Sequence, residues 1–205
     1  MKQQVLKIAI QKSGRLTDKS LQLLRNCGID IPAESRKLKA AASNFPMELY
    51  FLRDDDIPQY VQDGIADIGI LGENVLLEKK AAVETVLALG FAKCKLSLAV
   101  PRNEQYEGLR YWEGKKIATT YTNILSRFLE RNNIKAEIHS ISGSVEIAPG
   151  IGLAQGICDI VSTGSTLMSN GLKAVEVVLN SQAVLISNQD LQTDKRQILD
   201  KLLFR

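Results

Sequence analysis

The chain has 205 residues, of which 45% are hydrophobic and 24% charged, and its formal net charge is +3. This composition is typical of a soluble globular protein with one large or two small domains, and the charge is too small to indicate a nucleic-acid or membrane partner. No apolar run reaches the roughly 20 residues that cross a bilayer, and the amino terminus lacks a signal-peptide pattern, so we expect a cytoplasmic protein.

The first predicted strand covers residues 6–10, and a polar turn leads from it into a helix with apolar residues at helical spacing. Lys12, Gly14 and Arg15 lie in that turn. Open α/β sheets bind ligands at the carboxyl ends of their strands. Two cations and a glycine at such an edge indicate an anionic ligand, and a solvated turn is the alternative.

A second predicted strand, residues 47–52, ends directly before Arg53. The aspartates at 54–56 precede Ile57 and Pro58, and acids followed by an early proline favour the start of a helix. We therefore interpret the aspartates as helix-start residues and Arg53 as a second cation at a strand end.

Two segments of the chain resemble each other. Gly64–Gly72 and Gly156–Gly164 share two glycine positions, two isoleucine positions and one aspartate at a fixed offset, which pairs Asp67 with Asp159. The resemblance predicts two similar α/β lobes whose ligand-binding turns face one cleft, with Asp67 and Asp159 in equivalent places near it.

A second internal resemblance, between Lys-Ile-Ala at 7–9 and at 116–118, has a different offset. We expect residues 1–92 to form lobe I, residues 93–180 lobe II, and residues 181–205 a return to lobe I with a C-terminal helix. The other elements that this division requires are strands at 89–100, 116–120, 136–141, 174–179 and 183–187 and helices at 121–132 and 191–205.

The stretch with the most chemistry begins at the apolar strand 157–161, which contains Asp159. A hydroxyl-rich glycine turn follows it, made of Ser162, Thr163, Gly164, Ser165 and Thr166. Backbone N–H groups, hydroxyls and the positive end of the next helix would together form a cradle for a phosphate. The alternative is that Ser165 or Thr166 only caps the helix.

Cysteine and histidine offer little for metal or nucleophilic chemistry. Cys27, Cys94 and Cys158 are odd in number, widely separated and set in apolar sequence, as reduced core thiols are. The single histidine, His139, lies in a predicted strand. We expect no metal ion held by the protein's own side chains.

Seven motifs in this order resemble the catalytic core of the ATP phosphoribosyltransferase family, and the resemblance runs essentially from end to end. They are IAIQKSGRL at 8–16, FLRDDDIP at 51–58, GIADIGILGENVL at 64–76, CKLSLAVP at 94–101, KIATTY at 116–121, GSVEIAPGIGLA at 143–154 and DIVSTGSTL at 159–167. The resemblance implies an α/β fold with two lobes, like a type II periplasmic binding protein, and a ligand cleft between the lobes.

The family is a group of glycosyltransferases that open histidine biosynthesis by moving a phosphoribosyl group from phosphoribosyl pyrophosphate to N1 of the adenine of ATP. The resemblance implies that residues 162–166 hold the 5-phosphate and that Glu146 and Asp159 meet the ribose hydroxyls. It places Arg15 and Arg53 in catalysis, and it places on the ATP or pyrophosphate side the residues Lys12, Gly14, Asp67 and Tyr121. Mg²⁺ is expected to arrive bound to the substrate phosphates, because that ion keeps many of its waters.

The chain departs from the family pattern at two places. Gln155 stands where the family usually has aspartate, and Thr122 follows Tyr121 where the family usually has proline. If the missing acid ordered the sugar or a metal, activity would be low. Two alternatives to an enzyme therefore stay open: a bilobal binding domain that senses a small anion without reacting, and a scaffold subunit that has lost activity.

The family has two architectures. Long chains add a C-terminal domain of ferredoxin-like type that binds histidine, and short chains work with a regulatory subunit related to histidyl-tRNA synthetases. The sequence leaves open whether this is a natural short form or a long form without its regulatory domain. We expect a homo-oligomer, a dimer or higher, with the histidyl-tRNA-synthetase-like subunit as an additional candidate partner.

Overall fold

Two β-sheets, one in each of two units, organise the structure, a computed structural model that describes residues 4–32, 38–161 and 165–204. One unit consists of Met1–Ala92 with Gln182–Arg205, and the other of Lys93–Ser181. The chain therefore passes from the first unit to the second after Ala92 and returns after Ser181.

The first unit has a sheet in which apolar central strands are covered by helices. Its elements are β1 (Leu6–Gln11), α1 (Arg15–Asn26), β2 (Lys39–Ala41), β3 (Met47–Leu52), α2 (Ile57–Gln62), β4 (Ile68–Gly72), α3 (Glu73–Lys79), β5 (Val83–Ala88), β11 (Ala183–Asn188) and α6 (Thr193–Leu203). The strand order is β2-β3-β1-β4-β11-β5. β1 is parallel to β3 and β4, while β11 is antiparallel to both β4 and β5.

The second unit has a five-stranded sheet of the same kind. Its elements are β6 (Cys94–Pro101), β7 (Lys116–Thr119), α4 (Thr122–Arg131), β8 (Glu137–Ser140), β9 (Gly156–Val161), α5 (Ser165–Ser169) and β10 (Leu172–Ser181). The strand order is β10-β6-β9-β7-β8, with β7 parallel to β8 and β9, and β6 antiparallel to β9 and β10. Three short 3-10 helices, at Asp54–Asp56, Leu109–Trp112 and Val145–Ile147, complete the regular structure of the described residues.

The two sheets share one topology. Each has three parallel strands (β3, β1 and β4; β8, β7 and β9), then a strand antiparallel to the third of them (β11; β6), then an edge strand antiparallel to that fourth strand (β5; β10). The prediction of two similar α/β lobes is confirmed at this level. The edge strand β2 belongs to the first sheet alone.

The two aspartates paired by the internal resemblance do not occupy equivalent places. Ile8 of β1 lies opposite Ile68, and Ile117 of β7 lies opposite Gly156. Gly156, the first residue of one segment, therefore begins a strand, whereas Gly64, the first residue of the other, lies four residues before its strand. As a result Asp67 precedes its strand and Asp159 lies inside β9, so the expectation of equivalent positions is wrong.

The cores follow from the strand pattern. Both faces of the first sheet are covered, because β1 directs Ile8 and Ile10 to one buried cluster and Ala9 to another. In the second unit, fully buried Ile157 and Ala118 belong to a cluster on the β7–β9 pair. The predicted strand over 89–100 is shorter than expected, since β6 starts at Cys94. No helix in the described part of the chain is both long and apolar enough to cross a membrane.

Candidate functional site

The carboxyl edge of the first sheet brings three cations together. Parallel β1 and β3 end side by side, with Gln11 opposite Leu52, and the amide of Lys12 donates to the carbonyl of Leu52 over 2.8 Å. Lys12 and Arg53 thus leave neighbouring strands at the same edge. Both are exposed, as is Arg15 at the start of α1.

The turn that carries Lys12 and Arg15 has a defined shape. Gly14 has φ 103°, in the region that favours glycine, and an added Cβ would meet no atom within 4 Å, so the backbone angle alone requires glycine there. Gly14 is also the N-cap of α1 and supplies no side-chain acceptor to the first amides of that helix. The hydroxyl of Thr17 donates to the carbonyl of Gln11 over 2.7 Å, which ties the first turn of α1 to the end of β1.

Asp67 is not brought to this edge. It lies one residue before β4, at the amino end of the sheet, and is almost completely buried. One carboxylate oxygen accepts the amide of Lys7 at 2.7 Å and the other accepts Lys195 Nζ at 2.8 Å. With both oxygens engaged, Asp67 joins β1 to α6 and is not available to a ligand at the opposite edge.

The carboxyl edge of the second sheet brings two acids together. Asp159 lies near the end of β9, and Glu146 lies in the 3-10 helix Val145–Ile147, which contacts that strand. Both side chains are partly buried. The carboxylate of Asp159 accepts the amide of Ile160 over 2.7 Å.

Burial raises the pKa of the Asp159 carboxyl, and the nearby negative charge of Glu146 raises it further, while the hydrogen bond from the amide of Ile160 lowers it in part. A partly buried carboxylate next to a second acid is stabilised by a ligand whose hydroxyl groups donate hydrogen bonds to it. The pair is therefore suited to a polyol such as ribose.

Tyr121 lies at the same edge, one strand away. It is the N-cap of α4, half-buried, and its amide donates to the hydroxyl of Thr119 at the end of β7 over 2.9 Å. A sequence pattern gives Thr119 no special role, because a buried threonine is common in strands.

The phosphate cradle is the one predicted feature that falls outside the described structure. Ser162, Thr163 and Gly164 lie outside the described residues, and so do the side chains of Ser165 and Thr166. The backbone shows that the helix α5 begins at Ser165, soon after β9 ends at Val161. The phosphate-binding role of residues 162–166 stays a prediction.

Comparison with known proteins decides the family. The model of the HisG family, ATP phosphoribosyltransferase, matches residues 53–205. An ATP phosphoribosyltransferase from Cytophaga hutchinsonii is 58% identical over 201 residues, which cover 98% of this chain and 70% of that relative. The chain belongs to the ATP phosphoribosyltransferase family.

Solved structures agree with this assignment. A chain of the HisG:HisZ complex of ATP phosphoribosyl transferase from Thermotoga maritima superposes with a TM-score of 0.80 at 30% identity, covering 98% of both chains. The substrate binding protein of an amino acid ABC transporter superposes with a TM-score of 0.61 at 9% identity, covering 97% of this chain and 92% of that one. The second likeness concerns the fold alone, and it agrees with the expected periplasmic-binding-protein-like architecture.

One departure from the ATP phosphoribosyltransferase pattern proves to be remote from the acids. The backbone amide of Gln155 donates to the carbonyl of Lys116 over 2.9 Å, and the side-chain oxygen of Gln155 accepts the backbone amide of Lys116 at 2.8 Å. Lys116 begins β7, so Gln155 lies at the amino end of the sheet, opposite the edge that carries Asp159. Loss of an acid at position 155 therefore removes no charge from the acid pair.

Proposed function

We propose that the chain transfers the phosphoribosyl group of phosphoribosyl pyrophosphate to N1 of the adenine of ATP and releases pyrophosphate. The observation that carries the proposal is the partly buried acid pair Glu146 and Asp159 in a chain of this family, with Asp159 shortly before the predicted phosphate cradle at 162–166. The raised pKa of Asp159 supports a site in which a ligand donates hydrogen bonds to the acids.

The acids of the second unit have the chemistry for the ribose. Each carboxylate can accept a hydrogen bond from a ribose hydroxyl, and charge-assisted hydrogen bonds of this kind are short and strong. Their negative charge also favours the positive charge that grows on the ring as the bond at C1 breaks. The predicted cradle at 162–166 would hold the 5-phosphate and thereby fix C1.

The cations of the first unit have the chemistry for the departing group. When adenine N1 forms its bond to C1, the bond from C1 to the pyrophosphate oxygen breaks and its electron pair leaves with pyrophosphate. Lys12, Arg15 and Arg53 would stabilise that negative charge, and losing one such contact costs on the order of 3 kcal/mol in the transition state. Adenine N1 carries a free lone pair, so the step requires no general base. Tyr121 and Gly14 remain candidates for the ATP side, and Asp67 is left out.

Mg²⁺ fits this scheme as a companion of the substrates. Among the described residues no group of three or more His, Cys, Asp or Glu side chains could hold a metal ion. Glu146 and Asp159 are two acids, and Mg²⁺ commonly uses one or two carboxylates together with substrate phosphates. When bound, the ion would neutralise phosphate charge, and Glu146 and Asp159 are the acids of the candidate site that would contact it.

Partners and location belong to the same proposal. A matching chain from Thermotoga maritima occurs in a HisG:HisZ complex, which supports a second, regulatory subunit for this chain. We further propose a homo-oligomer, a dimer or higher, that works in the cytoplasm, where a chain with three free cysteines remains reduced.

The test is incubation of the purified chain with ATP, phosphoribosyl pyrophosphate and Mg²⁺, with pyrophosphatase present and phosphoribosyl-ATP followed by absorbance. We expect product from the wild type, a large loss for Arg53→Met and Asp159→Asn, and little change for the exposed controls Arg131→Met and Asp200→Asn. Binding of phosphoribosyl pyrophosphate without product, also after addition of a regulatory subunit, would favour the anion-binding domain. A chain that binds neither substrate would contradict both readings.

A further inference from the structure

Thr119 connects the segments that carry the candidate site of the second unit. It is the last residue of β7 and is fully buried. Its hydroxyl donates to the carbonyl of Cys158 over 2.7 Å and accepts the amide of Tyr121 over 2.9 Å. One side chain thus satisfies a group on a neighbouring strand and a group at the start of the next helix.

Each of these bonds ends next to a residue of the proposed site. Cys158 immediately precedes Asp159 and is the residue opposite Thr119 in the parallel pairing of β7 and β9. Tyr121 is the N-cap of α4, where φ of −108° and ψ of 61° leave the helical region. The hydroxyl therefore holds the backbone of the acid strand and the backbone of the α4 turn at fixed separation.

The main chain of Thr119 adds a third connection. Its carbonyl accepts the amide of Ile141 over 3.1 Å, at the point where the chain leaves β8. The segment after Ile141 leads to the 3-10 helix that carries Glu146. Thr119 thus bonds to Cys158, which precedes Asp159, to Tyr121 itself, and to Ile141, which begins the segment that leads to Glu146.

We propose that Thr119 is a positioning residue which sets the ribose-binding acids and the ATP-side turn at Tyr121 in mutual register. The inference rests on the proposed function and extends it to a residue that contacts no substrate. The inference has a specific consequence. Loss of the Thr119 hydroxyl weakens the binding of both substrates together, whereas a change in a residue that contacts a substrate weakens mainly the binding of that one.

Two substitutions separate the hydroxyl from the shape of the side chain. Thr119→Val keeps the branched form that suits a buried strand but removes the hydrogen bonds of the hydroxyl to the carbonyl of Cys158 and to the amide of Tyr121. Thr119→Ser keeps the hydroxyl and loses only a methyl group. A matched control is Asn132→Ala, which removes a 2.8 Å side-chain bond to the carbonyl of Phe128 at the far end of α4.

The experiment measures kcat and both KM values of the full chain, together with thermal stability. Small displacements of reacting groups cost on the order of 100-fold in rate, so we expect kcat/KM to fall by about that factor in Thr119→Val. We expect KM to rise for ATP and for phosphoribosyl pyrophosphate alike, and Thr119→Ser to recover most of the loss. Asn132→Ala should lower thermal stability and leave both KM values unchanged.

The outcomes distinguish this inference from the proposed function. A Thr119→Val chain that is less stable but has wild-type KM values would overturn the positioning role while the transferase activity stands. If the wild type forms no phosphoribosyl-ATP, the proposed function fails. The positioning role of Thr119 is then tested by calorimetric measurement of the affinities for ATP and for phosphoribosyl pyrophosphate. In that assay equal affinities for the wild type and Thr119→Val, or no binding by the wild type, would overturn the inference.

Discussion

The protonation state of Asp159 links its surroundings to the binding of the sugar. Burial opposes the charged form, and the charge of Glu146 adds to that opposition, so the pKa of Asp159 lies above the usual aspartate range. The ionised carboxylate offers both oxygens as hydrogen-bond acceptors to hydroxyl groups, whereas the protonated form carries a donor in place of part of that capacity. Affinity for ribose should therefore be present at neutral pH and be lost as pH falls through the raised pKa.

We predict that KM for phosphoribosyl pyrophosphate rises on acidification at a higher pH than an ordinary aspartate would cause. Glu146→Gln removes the neighbouring charge, which lowers the pKa of Asp159 and should move the midpoint of this rise to lower pH. The measurement is KM against pH for the wild type, Glu146→Gln and the exposed control Glu107→Gln. The titration of the substrate phosphates is common to all three proteins. An unshifted midpoint in Glu146→Gln would show that Glu146 does not act on Asp159.

Asp67, unlike Asp159, is a buried carboxylate that we assign to the stability of the protein and not to ligand binding. Its ion pair with Lys195 has exposed side-chain fractions of only 7% for the aspartate and 17% for the lysine. Removing one member of such a pair leaves the other charge buried and unpaired, at a cost of about 3 kcal/mol. We predict that Asp67→Ala lowers the free energy of unfolding by about this amount, measured by denaturant titration, with KM for ATP unchanged.

Lys195→Met provides the matched control for Asp67. If the pair is structural, the double variant should lose less stability than the sum of the two single variants, because each single variant leaves one charge unpaired and the double variant leaves none. A rise in KM for ATP in folded Asp67→Ala would instead return Asp67 to the ATP site.

At the scale of elements, β9 fits its sheet only because it begins with glycine. An added Cβ on Gly156 would overlap the ring of Trp112 and would lie 2.6 Å from the carbonyl oxygen of Ala99. One neighbour is a fully buried indole and the other is backbone in β6, so neither yields easily. Close packing of Gly156 against Trp112 and Ala99 thus fixes the position of β9, the strand that carries Asp159, at its amino end.

We predict that Gly156→Ala lowers the free energy of unfolding by about 1–3 kcal/mol, as overpacking of a filled core does. Denaturant unfolding followed by tryptophan fluorescence measures it, since Trp112 lies at the point of contact. Gly143→Ala is the control, because an added Cβ there meets no atom within 4 Å and the residue has no positive φ. Equal stabilities of the two variants would contradict the close packing.

The elements that the sequence predicts well are those whose signal is local. Apolar runs predict β1, β3 and β9, and polar turns directly after them place Lys12 and Arg53 at strand ends. Register is not local: whether Asp67 precedes a strand or lies in it depends on pairing with β1, which a short motif does not encode. Similarly, the roles of Gln155 and Thr119 depend on hydrogen bonds between residues 39 positions apart.

On the scale of the whole molecule, the two units differ in how the chain builds them. The second unit is one continuous segment, Lys93–Ser181, whereas the first needs Gln182–Arg205 in addition to the amino-terminal segment. β11 lies between β4 and β5, and among the strands of the described residues β5 pairs with β11 alone. The α6 residues Leu199 and Leu202 also belong to the core of the first unit. The first unit therefore depends on the last two dozen residues, and the second does not.

We predict that a chain ending at Ser181 loses the first unit and keeps the second. Trp112 is the only tryptophan and is fully buried in the second unit, so its emission reports on that unit alone, while far-ultraviolet circular dichroism reports on both. The truncated chain should retain the blue-shifted emission of the full chain and lose much of its circular dichroism.

The fragment 93–181 serves as the control and should show the same emission. Red-shifted emission in the truncated chain together with native emission in the fragment would mean that an unfolded first unit disrupts the second. Red-shifted emission in both would mean that Lys93–Ser181 does not fold alone, and that the continuity of its chain is insufficient for independent stability.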